Sequence, residues 1–219
     1  MREMFPGIFL IDKKLAVENP IPGFKPFDEE ILKIDKKEFR IWNPYRSKLA
    51  AAIMKNIKEV PLKIGTKILY LGAAHGMTAS YIANIIGNEG IIYAVEFSER
   101  CFNELLPLCE KYKNILPVLA DARKPEDYSW IEKVDVVYID VAQPDEIEIF
   151  IRNCKEFLKK EGYGMIAVKS RSIDVTKSPK EIYKESLRKL EEGFEIIDWK
   201  ILDPYERAHA FIVVKSKNY

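Results

Sequence analysis

The sequence has little histidine and cysteine, and it contains no long apolar run. Only two histidines and three cysteines occur in 219 residues, and the cysteines lack the Cys-x-x-Cys spacing of many metal sites. We therefore expect no metal site and reduced cysteines in a cytoplasmic protein. A membrane span needs about 20 consecutive apolar residues, and the N-terminus lacks the apolar core of a secretory signal. We expect no association with a membrane.

An excess of charge of either sign is also absent. Lysine and arginine number 35, aspartate and glutamate number 34, and the formal net charge is +1. A protein that coats nucleic acid through bulk electrostatics has a clear positive excess. The composition argues against that class, so a protein of this charge acting on RNA would take much of its affinity from other components.

Two common phosphate-binding motifs are missing. The glycine spacing is Gly72-x-x-x-Gly76, not the Gly-x-Gly-x-x-Gly of dinucleotide sites, and no Gly-x-x-x-x-Gly-Lys-Ser/Thr sequence occurs. The groups that are present suit a nucleoside without phosphates. The glycines let backbone approach a ligand, Glu96 can accept hydrogen bonds from both ribose hydroxyls, and Asp121 can accept one from an adenine amino group. S-adenosylmethionine fits this pattern. The alternative is a tight turn beside two solvated strand ends.

The hydrophobic pattern predicts an α/β fold in two parts. Residues 1–42 show short strand patterns, beginning with a hairpin around residues 12–14, and we expect a small β-rich domain packed on the rest. Residues 43–219 are predicted to form a Rossmann-like class I methyltransferase domain with a seven-stranded, mostly parallel sheet. Its last two strands lack an intervening helix and should form an antiparallel pair at one edge. The predicted strands are 67–72, 91–96, 115–120, 134–140, 163–169, 194–202 and 209–215. The first predicted helix opens at Asn43-Pro44. Four further helices are predicted at residues 76–87, 98–112, 145–160 and 179–192.

Four residues are candidates for catalysis. Ligands of open α/β sheets lie beyond the carboxyl ends of the strands, where Asp140 and Lys169 end two strands. Lys48 lies on the helix before the sheet, and His209 starts the final strand. Two lysines around a carboxylate can activate a hydroxyl toward a sulfonium methyl group if burial and a second cation depress one lysine pKa. The sequence does not distinguish which lysine would be the base. Taken singly, each residue could be an ordinary surface or edge-strand residue.

Several segments resemble archaeal fibrillarin-like methyltransferases. The matching segments are residues 42–51, 70–74, 121–125, 140–145 and 168–174, and the resemblance covers essentially the whole chain. It implies methylation of the ribose 2'-hydroxyl in ribosomal RNA, and in archaea also in transfer RNA. The target would be chosen by a box C/D guide RNA, in a particle with a Nop-family scaffold protein and, indirectly, a kink-turn-binding ribosomal-type protein.

The resemblance also implies roles for individual residues. Lys48, Asp140, Lys169 and His209 would form the Lys-Asp-Lys-His set of this enzyme class. The cofactor contacts would fall on Gly72, Ala73, Met77, Thr78, Glu96, Phe97, Asp121, Ala122, Asp140, Val141, Ala142 and Gln143. Arg46 and Arg171 each lie close to a catalytic lysine and are candidates for contacting RNA phosphates.

The glycine turn, residues 72–76, and the two residues after it depart from the family pattern at two positions. The family usually has Gly-Ala-Ala-Ser-Gly-Thr-Thr, whereas His75 and Met77 stand here in place of the serine and the first threonine. Met77 cannot supply a hydroxyl hydrogen bond, although backbone contacts would persist. Two other functions stay open: a metal-independent methyltransferase for a small-molecule hydroxyl, and a non-catalytic subunit of an RNA particle. Insensitivity to a chelator would count against a small-molecule enzyme of the metal-using catechol type, and unchanged methylation by Lys169→Ala would favour the non-catalytic subunit.

Overall fold

The structure, a computed structural model, describes residues 1–217 and contains two β-sheets. The strands are β1 (Arg2–Phe5), β2 (Ile8–Ile11), β3 (Lys14–Glu18), β4 (Ile31–Ile34), β5 (Lys37–Ile41), β6 (Lys67–Leu71), β7 (Ile91–Glu96), β8 (Ile115–Leu119), β9 (Val134–Ile139), β10 (Leu158–Lys169), β11 (Phe194–Ile201) and β12 (His209–Ser216). The helices are α1 (Lys48–Met54), α2 (Met77–Ile86), α3 (Glu99–Lys111), α4 (Glu146–Phe157), α5 (Ser170–Ile173) and α6 (Pro179–Glu191). Within residues 1–217, no helix is long and apolar enough to cross a membrane.

The N-terminal sheet is antiparallel, with strand order β1-β2-β3-β5-β4. The predicted hairpin is formed by β2 and β3. Its two turn residues, Asp12 and Lys13, have φ of 46° and 65°, which matches the tight turn that follows the natural twist of paired strands. The short strand β1 was not predicted. The division of the chain after residue 42 stays a prediction, and β5 ends at Ile41.

The larger sheet confirms the predicted class I methyltransferase layout. Its order is β11-β12-β10-β9-β6-β7-β8, and β6 to β10 are parallel. Strand β12 runs antiparallel to both β10 and β11, as the missing helix between the last two strands predicts. The helices cover both faces: α1, α2 and α3 contribute to one core, α4 and α6 to the other. The carboxyl ends of the parallel strands therefore lie along one edge of the sheet.

The start of α1 differs from the prediction. The helix begins at Lys48, where the Ser47 side chain accepts a hydrogen bond from the Ala50 backbone N–H. Asn43 does not cap it, because the Asn43 Oδ1 accepts from the Tyr45 N–H at 2.9 Å and forms a separate turn. As a result, Lys48 occupies the first position of the helix rather than its middle.

The boundary between α4 and β10 also differs. The helix predicted to reach residue 160 ends at Phe157, and β10 begins at Leu158. The pairing of β10 with β9 changes register between Leu158 and Tyr163. The sequence of this stretch is strongly charged, so the strand carries no apolar pattern that would reveal it.

A buried arginine joins the N-terminal sheet to helix α2. Arg40 on β5 is fully buried, and its Nε donates to the Glu29 Oε1 at 2.5 Å. Its other nitrogens donate to the Ser80 Oγ and to the Tyr112 hydroxyl, each at 2.9 Å, and the guanidinium lies 4.2 Å from the centre of the Tyr81 ring. Because Ser80 and Tyr81 belong to α2, Arg40 fixes the N-terminal sheet against the helix that follows the glycine turn.

We expect Arg40→Met to lower the free energy of unfolding by about 3–5 kcal/mol, because Glu29 would stay buried without its cation. The measurement is denaturant unfolding of the variant and the parent protein. The matched control is Arg188→Met at an exposed arginine of α6, which should change stability by less than about 0.5 kcal/mol. Equal losses in the two variants would contradict a supporting role for Arg40.

Candidate active site

Two adjoining cavities open at the carboxyl ends of the parallel strands. The first has a volume of about 430 Å³ and is lined by the glycine turn, the end of β7 and residues 120–123 and 140–143. The second has a volume of about 370 Å³ and lies on the side of α1 and α2. Gly72, Ala74 and Asp140 line both cavities, so the two meet at these residues.

The glycine turn is packed tightly against other parts of the protein. Gly72 has φ +80°, and a Cβ built on it would lie 2.5 Å from the Asp140 carbonyl oxygen. A Cβ on Gly76 would lie 2.6 Å from carbons of Leu105 and Leu108 on α3. The close approach to a ligand that the sequence predicts for these glycines stays a prediction, and the structure adds a second reason for them. The atoms that exclude a side chain at both positions belong to the protein.

Glu96 is a buried carboxylate on the wall of the first cavity. It is 6% exposed, its Oε2 accepts from the Ala74 N–H at 2.8 Å, and its Oε1 accepts from the Ser98 N–H at 2.9 Å. These bonds tie the glycine turn to the segment that enters α3. A carboxylate has about four acceptor positions, so Glu96 keeps capacity to accept from hydroxyl groups of a ligand.

Asp121 is held as a carboxylate at the opposite wall. The Arg123 Nη2 donates to the Asp121 Oδ2 at 2.6 Å, and the Arg123 backbone N–H donates to the Oδ1 at 2.9 Å. These hydrogen bonds and the positive charge of Arg123 lower the pKa of Asp121, while its partial burial opposes this effect. Asp121 is therefore ionised at neutral pH and acts only as an acceptor.

The structure brings every residue predicted to contact a cofactor to one or both cavities. Those along the first cavity are Gly72, Glu96, Phe97, Asp121, Ala122, Asp140, Val141, Ala142 and Gln143. Those along the second, besides Gly72 and Asp140, are Ala73, Met77 and Thr78. Their contacts with a cofactor stay predictions.

Lys48 and Asp140 form an ion pair where the cavities meet. The Lys48 Nζ lies 2.9 Å from the Asp140 Oδ1 and 3.0 Å from the Oδ2. Burial of Lys48 disfavours its charged form, but the attraction and hydrogen bonding of Asp140 outweigh it and raise the pKa of Lys48. Lys48 is therefore an ammonium group at neutral pH and a poor proton acceptor.

Lys169 and His209 lie opposite each other on β10 and β12. His209 is 8% exposed, and its Nδ1 lies 2.8 Å from the Arg207 carbonyl oxygen. Since a carbonyl only accepts, Nδ1 carries the proton. Burial lowers the pKa of His209 despite this hydrogen bond, so the ring is neutral at pH 7 and its Nε2 is an acceptor. In the described part of the chain, Lys169 forms no ion pair of the kind that Lys48 makes.

The two predicted phosphate contacts are placed differently. Arg46 lines the second cavity, and its Nη1 donates to the Phe27 carbonyl oxygen at 3.0 Å. Arg171 on α5 is exposed and lines neither cavity.

Sequence reasoning missed Tyr70 and Ser47 as parts of the site. Tyr70 lines the second cavity and stacks on Tyr138 with ring centres 4.4 Å apart. The Ser47 hydroxyl lies 3.0 Å from the Thr78 hydroxyl and links the start of α1 to α2. Strand alternation could have placed Tyr70 near the site. No local pattern reveals the contact of Ser47 with Thr78.

The similarity to known proteins extends over the whole chain. The family model described as Fibrillarin matches residues 1–218. The chain is 49% identical over 221 residues to the fibrillarin-like rRNA/tRNA 2'-O-methyltransferase of Pyrococcus furiosus, covering 98% of this chain and 97% of that protein.

Solved structures give the same similarity. A crystal structure of Aeropyrum pernix fibrillarin in complex with natively bound S-adenosyl-L-methionine has a TM-score of 0.86 and 45% identity, covering 94% of this chain and 92% of that one. A chain of a crystal structure of a fibrillarin/Nop5p complex has a TM-score of 0.92 and 41% identity, covering 99% of this chain and 100% of that one.

We expect Gly72→Ala to destabilise the protein by about 1–3 kcal/mol more than Gly23→Ala, because only the first substitution forces a Cβ against a carbonyl. Gly23 is a matched control. Its φ is +74°, and no atom of the described residues lies within 4 Å of a Cβ built on it, so it shares only the backbone strain. Denaturant unfolding of both variants measures the difference. Equal losses would show that the contact with Asp140 carries no cost.

Proposed function

Because the chain belongs to the fibrillarin family, we propose that it transfers a methyl group from S-adenosylmethionine to the ribose 2'-hydroxyl of ribosomal and transfer RNA. A relative 49% identical to this chain bears that activity in its name, and a family structure holds the cofactor. The observation that carries the proposal is the Lys48–Asp140 ion pair at the junction of the two cavities. This arrangement allows a cofactor and a hydroxyl substrate to meet beside charged groups.

The first cavity fits S-adenosylmethionine by the chemistry of its lining. Glu96 offers carboxylate oxygens to ribose hydroxyls, and Asp121 offers acceptors to an adenine amino group. Phe97, which is 64% exposed, gives the rim an apolar ring. Two carboxylates in one cavity would repel phosphates, which this cofactor lacks. When bound, S-adenosylmethionine supplies a methyl group on a positively charged sulfur.

Three groups of the predicted catalytic set would handle the hydroxyl proton. Lys48 lines the second cavity, whereas Lys169 and His209 line neither cavity. In the proposed reaction the ribose oxygen forms a bond to the methyl carbon while the carbon–sulfur bond breaks and its electron pair stays on the sulfur as a neutral thioether. The hydroxyl proton passes to the enzyme. Lys48 is held as an ammonium group by Asp140, so we assign it to holding the ribose oxygen. Among residues 1–217 no carboxylate forms such an ion pair with Lys169, and we assign Lys169 to proton acceptance. The neutral His209, whose Nε2 can accept a hydrogen bond, completes the set.

We further propose that the enzyme works in a box C/D particle. The family structure that includes Nop5p supports a Nop-family scaffold as the direct partner. A guide RNA would select the target nucleotide, and a kink-turn-binding ribosomal-type protein would join through the particle. The net charge of +1 agrees with recruitment by partners rather than by bulk attraction to RNA. Arg46 and Arg171 are the proposed phosphate contacts.

The test is transfer of a labelled methyl group to a guided RNA duplex, with and without the scaffold and kink-turn proteins. We expect label only in the complete mixture, on a target with a ribose 2'-hydroxyl. Lys169→Ala should lower the rate by at least about 100-fold, since general base catalysis contributes about 10²–10⁴-fold.

One control target and two outcomes distinguish the alternatives. A target with 2'-deoxyribose at the guided position should accept no label. Transfer by Lys169→Ala at the parent rate would contradict the assigned base. Bound cofactor with no transfer to RNA in any mixture would favour a small-molecule hydroxyl as substrate or a non-catalytic role.

We expect Glu96→Gln to weaken S-adenosylmethionine binding by about 10- to 100-fold, the equivalent of a lost hydrogen bond to a charged group. An amide also cannot accept from both the Ala74 and Ser98 N–H groups with its two ends. Isothermal titration calorimetry gives the Kd. Glu99→Gln, at an exposed glutamate on α3, is the matched control. A Kd for Glu96→Gln equal to that of Glu99→Gln would contradict the assignment.

A further inference from the structure

Glu146 is a buried carboxyl group beside the catalytic set that has no role in the mechanism above. It is the first residue of α4 and is 1% exposed. Its Oε1 accepts a hydrogen bond from the backbone N–H of Lys169 at 3.2 Å. Its Oε2 is buried and has no hydrogen-bond partner among the described residues.

Three titratable side chains act on Glu146 from the elements packed around it. They are Asp140 at the end of β9, Lys48 at the start of α1 and Lys169 at the end of β10. Burial raises the pKa of Glu146 well above its usual range, and Asp140 adds to this effect. The hydrogen bond from the Lys169 backbone N–H and the attraction of the two lysines oppose the rise without cancelling it. The balance of these effects therefore favours the uncharged form of Glu146.

This burial is unusual for an acidic residue at the start of a helix. A carboxylate there is normally solvated and gains from the helix dipole. Glu148, in the same turn of α4, follows that rule and forms an ion pair with Lys189 near the surface. An apolar side chain could occupy the place of Glu146 without leaving a buried oxygen unpaired. The carboxyl group therefore calls for an explanation other than the stability of the fold.

We propose that Glu146 is a positioning residue for methyl transfer, which fixes the end of β10 so that Lys169 faces the substrate hydroxyl. This role rests on the proposed function. The uncharged form also matters, because a carboxylate at this position would place a second negative charge beside Asp140. Asp140 then remains as the carboxylate that orients the catalytic cations.

The experiment compares Glu146→Gln, Glu146→Ala and the matched control Glu148→Gln with the parent protein. The readouts are kcat, the KM for cofactor and the pH dependence of kcat in the complete guided mixture. Glu146→Gln should keep kcat within about threefold and leave its pH dependence unchanged, because the amide is neutral and still accepts from the Lys169 N–H. Glu146→Ala should lower kcat about tenfold, the equivalent of one hydrogen bond, with KM for cofactor unchanged. Glu148→Gln should match the parent.

Two results would overturn the proposal. In the first, Glu146→Gln moves the rising part of the kcat curve to lower pH by about one unit or more, as expected if the native group were charged. In the second, Glu146→Ala keeps the parent kcat. If Glu146→Ala does not fold, Glu146→Gln and its pH profile carry the test. Absence of transfer by the parent protein would overturn the proposed function and this role with it, whereas transfer by the parent with a shifted Glu146→Gln profile would overturn this role alone.

Discussion

The turns that end β6 and β9 pack so closely that Gly72 has no room for a side chain. The Asp140 carbonyl oxygen occupies that space, and the Asp140 N–H donates to the Leu71 carbonyl oxygen at 2.9 Å. This contact brings the Asp140 side chain to the boundary between the two cavities, where it meets Lys48. The cofactor side and the substrate side of the site therefore meet at the closely packed residues Gly72 and Asp140. A transfer between two bound molecules requires such fixed relative positions.

Electrostatics divides the groups around Gly72 and Asp140 into charged and neutral ones. Removing a charge from water is costly, so a buried group either pairs with an opposite charge or becomes neutral. Lys48 and Asp140 take the first course. Burial shifts His209 and Glu146 toward the second, because it lowers the pKa of the histidine and raises that of the acid. A site with one ion pair and neutral neighbours can both hold a hydroxyl and receive its proton.

The N-terminal sheet contributes to this arrangement through its packing. Arg40 fixes it against α2, and the loop before β4 reaches the site. In that loop the Phe27 carbonyl accepts from Arg46, and the Phe27 ring lies 5.5 Å from the ring of His75 in the glycine turn. Phe27 in this loop thus contacts both Arg46, a proposed phosphate contact, and His75, where the sequence departs from the family pattern.

The sequence by itself determined the layout of the larger sheet and the residue types at its strand ends. Apolar runs, glycines and the acidic residues Glu96 and Asp121 are local features, so their order along the chain predicts the seven strands and a nucleoside site. The tertiary structure decided what depends on distance between remote segments. It placed a carbonyl against Gly72, paired Asp140 with Lys48 and buried Glu146 behind Lys169. Proton affinities follow from burial and from neighbouring charges, and both arise only when the chain is folded.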